Sequence, residues 1–271
     1  MKITFNGITF ENTPTILHDD TVGLGTPPVQ HVTQKTIYQD GMTYLRSFYD
    51  DRTIDFMFTV IGTDAADFTT KKNALYAVLS PKAGSKEMVV YYNQTLYINA
   101  ICEGIQPLAG NGQGNYWQTY QVGFRCPDPF FTTAEATQLM TPFTGGFSFP
   151  FSFPFSLGTP AATATITITG DTETPVRIVL VGPLVAPKVT NTTTGEFISI
   201  LQNIASGETV TIDTKLKTIT SDINGNIFHW LDTDSTFWYL EPGANIITYI
   251  TSTSILGSSC TIYYRNRYTG I

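Results

Sequence analysis

Three histidines, three cysteines and 22 carboxylates are the groups of this 271-residue chain that could carry acid–base, nucleophilic or metal chemistry. A hydrolytic site needs a nucleophile, a base and an orienting group brought together, and His18, His31 and His229 lie in no recognisable nucleophile motif. A Cys/His pair such as Cys260 with His229 would have to assemble across the fold. His229 next to Trp230 in an expected strand reads instead as a packed histidine. Cys102, Cys126 and Cys260 are odd in number and without paired spacing, which indicates neither a disulfide framework nor a zinc site but reduced, partly buried thiols. Asp222-Ile223-Asn224-Gly225-Asn226 and Asp232-Thr233-Asp234-Ser235 look like fragments of calcium loops. Glu241 has the wrong spacing to complete one and no helices flank it, so both segments read as turns. Gly110-Asn111-Gly112-Gln113-Gly114 lacks the Lys and Ser/Thr of a phosphate cradle and precedes a strand. No carboxylate pair stands in a glycosidase-like motif. These patterns assign no catalytic residue, no metal ligand and no cofactor.

One aromatic group remains. Trp230, Trp238 and Tyr239, with Phe237, would serve either as a sugar-stacking platform or as core and subunit-interface packing, since flat rings suit both.

The elements that must position these residues follow from composition. Charged residues make up 14% of the chain, while Thr, Tyr, Phe, Gly and Pro abound, which favours β-structure with tight turns. A net charge of −7 argues against a surface built to grip nucleic acid, which depends on clustered Lys and Arg. No run approaches the roughly 20 apolar residues of a membrane span. Met1 to Phe10 alternates as a strand and shows no signal peptide, so synthesis in a cytoplasm is expected.

Mid-chain, Cys126-Pro127-Asp128-Pro129-Phe130-Phe131 opens a stretch that closes on Phe147 to Phe155, alternating Phe with Ser or Pro. Its prolines lack amide donors and forbid a regular helix or central strand, yet so many rings would not be left in water as a flexible linker. The stretch reads as an extended segment pinned by its rings. Residues 1–131 and 158–271 are then two domains, and 132–157 the junction. Phe130 and Phe131 anchor the exit of the first domain, while Phe149, Phe151 and Phe153 set how the second stands.

In the first domain, Ile3 to Phe5, Ile8 to Phe10 and Gln30 to Tyr38 read as strands, with a long polar loop from His18 to Pro28. Arg52 to Ile61 alternates, with Ile54, Phe56, Phe58 and Val60 on a buried face. Asp64 to Ser80 is the one convincing helix, capped by Asp64, stopped by Pro81 and docked through Phe68, Leu75, Val78 and Leu79. Met88 to Tyr92 and Thr95 to Ile101 flank a turn at Asn93-Gln94, and Tyr116 to Cys126 leads into the junction. This makes a mainly β domain, a β-sandwich or split barrel with one α-helix. After the junction, short strands from Ala162 to Tyr268, including Phe228 to Leu231 and Phe237 to Leu240, are broken by Gly and Pro and predict an antiparallel β-sandwich.

The Cys126-to-Phe131 motif, the turn Leu240-Glu241-Pro242-Gly243-Ala244-Asn245 and the ending Tyr263 to Ile271, together with the hairpin Thr209 to Asp213 and Lys217 to Thr220, resemble in order and spacing the distal tail proteins of long-tailed bacteriophages. The resemblance implies a structural protein of the virion tail tip, assembled in the bacterial host. In that family an N-terminal β-domain with a helix and a hairpin forms a homo-hexameric ring, and a galectin-like C-terminal sandwich projects outward. The ring joins the tail tube to the tail-associated tip protein and in several phages carries receptor-binding proteins. Six chains at −7 would give a ring of roughly −42, a charge that discourages DNA from sticking where enough of it faces the channel, with Asp19, Asp20, Asp50 and Asp51 as candidate channel acids. The alternative from another class is a lectin-like carbohydrate-binding sandwich using the Trp/Tyr cluster.

Overall fold

Period-two alternation of apolar and polar residues turns most of this chain into sheet. The computed structural model describes residues 1–13, 16–110, 113–141, 161–252 and 257–271. Two units emerge, Met1–Ala134 with Tyr268–Ile271, and Glu135–Arg267.

The first unit carries β1 (Lys2–Phe5), β2 (Ile8–Phe10), β3 (Ile16–Val22), β4 (Val29–Gln34), β5 (Thr43–Tyr49), β6 (Arg52–Ile61), helix α1 (Ala65–Val78), β7 (Lys86–Tyr91), β8 (Thr95–Pro107), β9 (Trp117–Cys126) and β10 (Phe131–Thr132). Its antiparallel path runs β2-β1-β7-β8-β9-β6-β3, with β10 beside β8. The first half of β8, to Ala100, pairs with β7 and the second, from Ile101, with β9, and a register shift between Cys102 and Gly104 falls near the start of the second pairing. Such a bulge bends a strand, and here it accompanies the wrapping of the sheet onto itself. Phe10 lies 5.0 Å from Phe56 and 4.9 Å from Phe58, and Phe5 meets Phe124 edge-on at 4.7 Å. The result is a split barrel around one apolar core. Helix α1 begins where the Asp64 carboxylate accepts the Asp67 amide at 2.8 Å, and it packs through Leu75, with Leu79 at its end and Phe68 against the core.

Two local expectations change. The segment from His18 to Val22 is strand rather than loop, because it completes β3 on the edge beside β6, and a register shift between His18 and Thr21 absorbs the two aspartates. Thr43–Tyr49, which has few buried neighbours to give it a clear periodicity, is also strand.

The second unit carries β11 (Ala136–Met140), β12 (Ala161–Ile168), β13 (Val176–Val181), β14 (Lys188–Asn191), β15 (Glu196–Ser199), β16 (Thr209–Asp213), β17 (Thr218–Ser221), β18 (Gly225–Asn226), β19 (Gly243–Ile250) and β20 (Ser259–Tyr264). They form two antiparallel sheets, β11-β20-β13-β16-β17-β18 and β12-β19-β14-β15. Inward residues such as Ile178, Leu180, Val210, Ile212 and Ile262 of one sheet and Ile166, Val189, Ile198, Ile247 and Tyr249 of the other share a core, which makes an antiparallel sandwich. Phe228–Trp230 is a single 3₁₀ turn rather than a strand, and of the expected strand from Phe237 only a Thr174–Leu240 bridge forms. Ala136–Met140, expected within the junction, is β11. Phe149, Phe151 and Phe153 lie outside the described residues.

A buried carboxylate ties one end of this sandwich. Glu208 accepts the Ala205 amide at 2.9 Å and the Asn224 side chain at 2.7 Å, and it accepts the Ser221 hydroxyl as well. Burial pushes its carboxyl up, but the donors together hold it below the ordinary glutamate range. A carboxylate depressed in the folded state contributes stability that is present above its unfolded pKa and lost as pH falls through the folded one. Glu208→Gln should therefore destabilise the second unit by about 1–3 kcal/mol at pH 7. Denaturant unfolding of wild type and variant should converge as the pH is lowered below the ordinary glutamate pKa. A gap that does not depend on pH would refute this account.

Candidate functional site

Hairpin β4–β5 is a two-stranded sheet of its own. Every residue of β5 is exposed, and in β4 only Val32 is half-buried. Its surface carries Val29, Ile37, Tyr38, Met42, Tyr44, Leu45, Phe48 and Tyr49, with Ile37 83% and Met42 65% accessible. A register shift between Val32 and Thr33 leaves Leu45 unpaired. That extra residue turns Tyr44 and Ser47 to one side, where Ser47 Oγ meets the Tyr44 hydroxyl at 2.8 Å and His31 Nδ1 at 2.6 Å. Arg46 lies over the Phe48 ring at 4.5 Å. At the tip, Thr36 and Gln39 bond each other, and Gln39 donates to Thr43 Oγ1 at 3.0 Å. A lone two-stranded hairpin is marginal in water, so this one is built to be covered.

At its base the chain does something costly. Arg52 opens β6 at an inward position, in parity with Ile54, Phe56 and Phe58, and is only 1% exposed. Burying a guanidinium demands that its donors be met. Nη1 donates to the carbonyls of Gly23 at 2.9 Å and Gly25 at 2.8 Å, Nε to Pro129 at 2.8 Å, and Nη2 to Thr269. Its face lies 4.4 Å from the Phe131 ring centroid. Burial lowers the guanidinium to about 10, which leaves it charged at neutral pH. Gly23 is a glycine by necessity, since its φ is +91° and a Cβ there would stand 2.0 Å from the Thr53 carbonyl. Beside this cluster, Arg125 holds the Asp51 carboxylate at 2.6 Å and keeps it below the usual range.

The structure brings part of the expected junction set together here. Cys126 pairs with Arg52 across β6 and β9, and burial pushes its thiol up to about 12, which makes it inert at neutral pH. Pro129 gives its carbonyl to Arg52, Phe131 stacks on it, and Phe130 stands edge-on to Tyr49 at 5.6 Å. Pro127 is exposed and Asp128 half-buried. Arg52 itself went unread as a functional residue, although its parity with the buried face of the strand was visible.

The aromatic group does not form one platform. Trp238 is 1% exposed within the second unit's core, because the chain at 238–240 turns Trp238 and Leu240 inward and Tyr239 away. Tyr239 is half-buried, and Trp230 packs half-buried on the core with His229 exposed beside it. Phe237 instead stacks on Phe228 at 6.1 Å. Cys260 is fully buried and its thiol is pushed up by that burial. Among the described residues no three His, Cys, Asp or Glu stand where they could hold a metal ion. Nor is any described helix long and apolar enough to cross a membrane.

Two family profiles match the chain: a phage tail protein RIFT-related domain over residues 4–126, and the C-terminal domain of a siphovirus-type tail component over residues 169–268. The fold is similar to the Dit protein of phage SPP1, described as a paradigm of the hub adsorption apparatus in phages infecting Gram-positive hosts. That likeness has a TM-score of 0.72 at 14% identity and covers 98% of each chain. It is also similar to a chain of the phage P2 baseplate in its activated conformation, with a TM-score of 0.51 at 10% identity, over 97% of this chain and 96% of that one. No curated protein sequence matches.

Arg52 sets a test of this geometry. An ammonium has three donors where the guanidinium fork uses four, so Arg52→Lys should cost the first unit about 1–3 kcal/mol. Arg52→Met, which leaves four carbonyls without the donor, should cost more. Denaturant titration with a fluorescence probe in each unit checks this, and equal stability of all three chains would overturn it.

Proposed function

The chain belongs to the siphovirus-type phage tail components, the distal tail protein family, and from that premise we propose that it is the structural hub of a phage tail tip. In this reading six copies close a ring that joins the tail tube to the tail-associated tip protein. The first unit, Met1–Ala134 with Tyr268–Ile271, makes the ring, and the second, Glu135–Arg267, is available to receptor-binding proteins. The protein is made in the host cytoplasm and ends in the virion, and its work is mechanical rather than catalytic.

The observation that carries this reading is the hairpin. A closed ring requires a heterologous contact, in which one surface of each copy meets a different surface of the next. Hairpin β4–β5 supplies a projecting, largely uncharged and aromatic surface of that kind, with both strands open to a partner. The near-complete overlap with the fold of the SPP1 hub protein supports the role as well. Of the candidate channel acids, Asp51 is already paired with Arg125, which weakens its share of any channel field.

Native mass spectrometry and negative-stain microscopy of the purified chain should show a six-fold ring with a central hole. Leu45→Asp with Phe48→Glu should abolish it without lowering the thermal midpoint, because both side chains are exposed in the single chain. Central interface residues are worth about 2 kcal/mol or more each, enough to dissociate the ring at micromolar concentration. Rings that persist in the double variant would remove the hairpin from the contact.

A further inference from the structure

The chain leaves the first unit after Ala134 and re-enters it at Tyr268. The returning residues do not merely lie on the surface. Thr269 accepts from Arg52 Nη2, the Ile271 amide donates to the Leu24 carbonyl at 3.1 Å, and Tyr268 packs on the first core. Gly270 sits so close that a Cβ would stand 3.2 Å from the Gly25 carbonyl carbon and 3.3 Å from the Leu24 oxygen.

These contacts fall on both legs of hairpin β4–β5. Gly23, Leu24 and Gly25 lead into β4, and Arg52 follows β5 by three residues. The legs are joined to each other by the Asp50 amide on the Pro28 carbonyl at 2.8 Å and by Arg52 on Gly23 and Gly25. Residues 268–271 grip the first leg at Leu24 and the second through Arg52. The segment at Pro129, five residues before the exit to the second unit, is held by the same guanidinium.

We propose that Tyr268–Ile271 is a clasp that closes the base of hairpin β4–β5, so that the hairpin is held ready for its partner copy only after the second unit has been made and the chain has returned. The 133 residues from Glu135 to Arg267 separate the two halves of the clasp in sequence. At about 5–20 residues per second, synthesis leaves the base open for on the order of ten seconds. During that time Arg52 lacks its fourth acceptor, and the hairpin legs are held by each other and by the exit segment at Pro129 and Phe130, without the returning segment. An unclasped hairpin is a poor ring contact, since its ordering cost falls on assembly. The device delays ring closure until each copy carries its second unit. Its consequence for assembly rests on the proposed ring contact of the hairpin, whereas the clasp itself does not.

Hydrogen exchange of the full chain, read by mass spectrometry, separates the two. In a chain ending after Arg267, and in Gly270→Val, exchange of peptides covering residues 20–28 and 43–52 should accelerate about ten- to a hundredfold, the effect of losing one or two charge-assisted or backbone hydrogen bonds. Peptides from β13, β16 and β19 should be unchanged. Unchanged exchange at the hairpin base in Gly270→Val, with local loosening confined to 268–271, would overturn the clasp. So would loosening of the whole first unit in both variants, because the segment would then be a general stabiliser. Accelerated exchange in a variant that still forms rings at the wild-type rate would keep the clasp and sink its role in ring assembly.

Discussion

The first unit depends on one desolvated charge. A guanidinium taken out of water loses several kcal/mol of hydration, and it persists only where fixed acceptors replace the solvent. Arg52 finds them in four backbone carbonyls, from Gly23, Gly25, Pro129 and Thr269. Carbonyls cannot be moved one at a time as side chains can. Meeting this one group therefore fixes three stretches of backbone that are remote in sequence: the entry to the hairpin, the exit from the barrel and the returning segment. The planar fork matters as much as the charge, because its N–H groups diverge in one plane while its face remains free to lie on Phe131.

The second unit solves its polar problem differently. Glu208 is also buried, but its donors come from one neighbourhood of the chain, Ala205, Ser221 and Asn224. It braces a turn and a strand end rather than gathering distant segments. The contrast bears on cooperativity. Loss of a local brace loosens one end of a sandwich, whereas loss of a long-range hub weakens the hold on three segments at once.

What was legible in the sequence follows the same division. Strands β6 to β9 could be read because each alternates against one core, and the helix because Asp64 and Pro81 punctuate it in ways that depend on adjacent residues. The change to a sandwich after the junction was visible from short strands between glycines and prolines. The segment from His18 to Val22 was not, because an edge strand with a register shift loses the alternation that identifies it. Trp238 stood in an aromatic run that surface and core would write alike, and only the inward turn of Trp238 and Leu240 in the fold decides. The Arg52 hub was half legible. Its parity with Ile54 and Phe56 places it inward, but its acceptors are carbonyls, and a carbonyl leaves no mark on residue type.

Hairpin β4–β5 shows why such a hub would be kept. A projecting hairpin with exposed rings is a liability to an isolated chain, since free strand edges and apolar surface invite unselective pairing. Proteins usually blunt such edges with charge, yet among the residues of β4 and β5 only Arg46 carries a fixed one. Charge there would equally blunt a contact the assembly requires. The remaining means of control is the base, where geometry can be fixed without altering the surface presented to a partner. A charge buried among carbonyls does that without apolar surface of its own, and it confines specificity to one orientation of the hairpin. The exposed surface can then be sticky because its direction is not free.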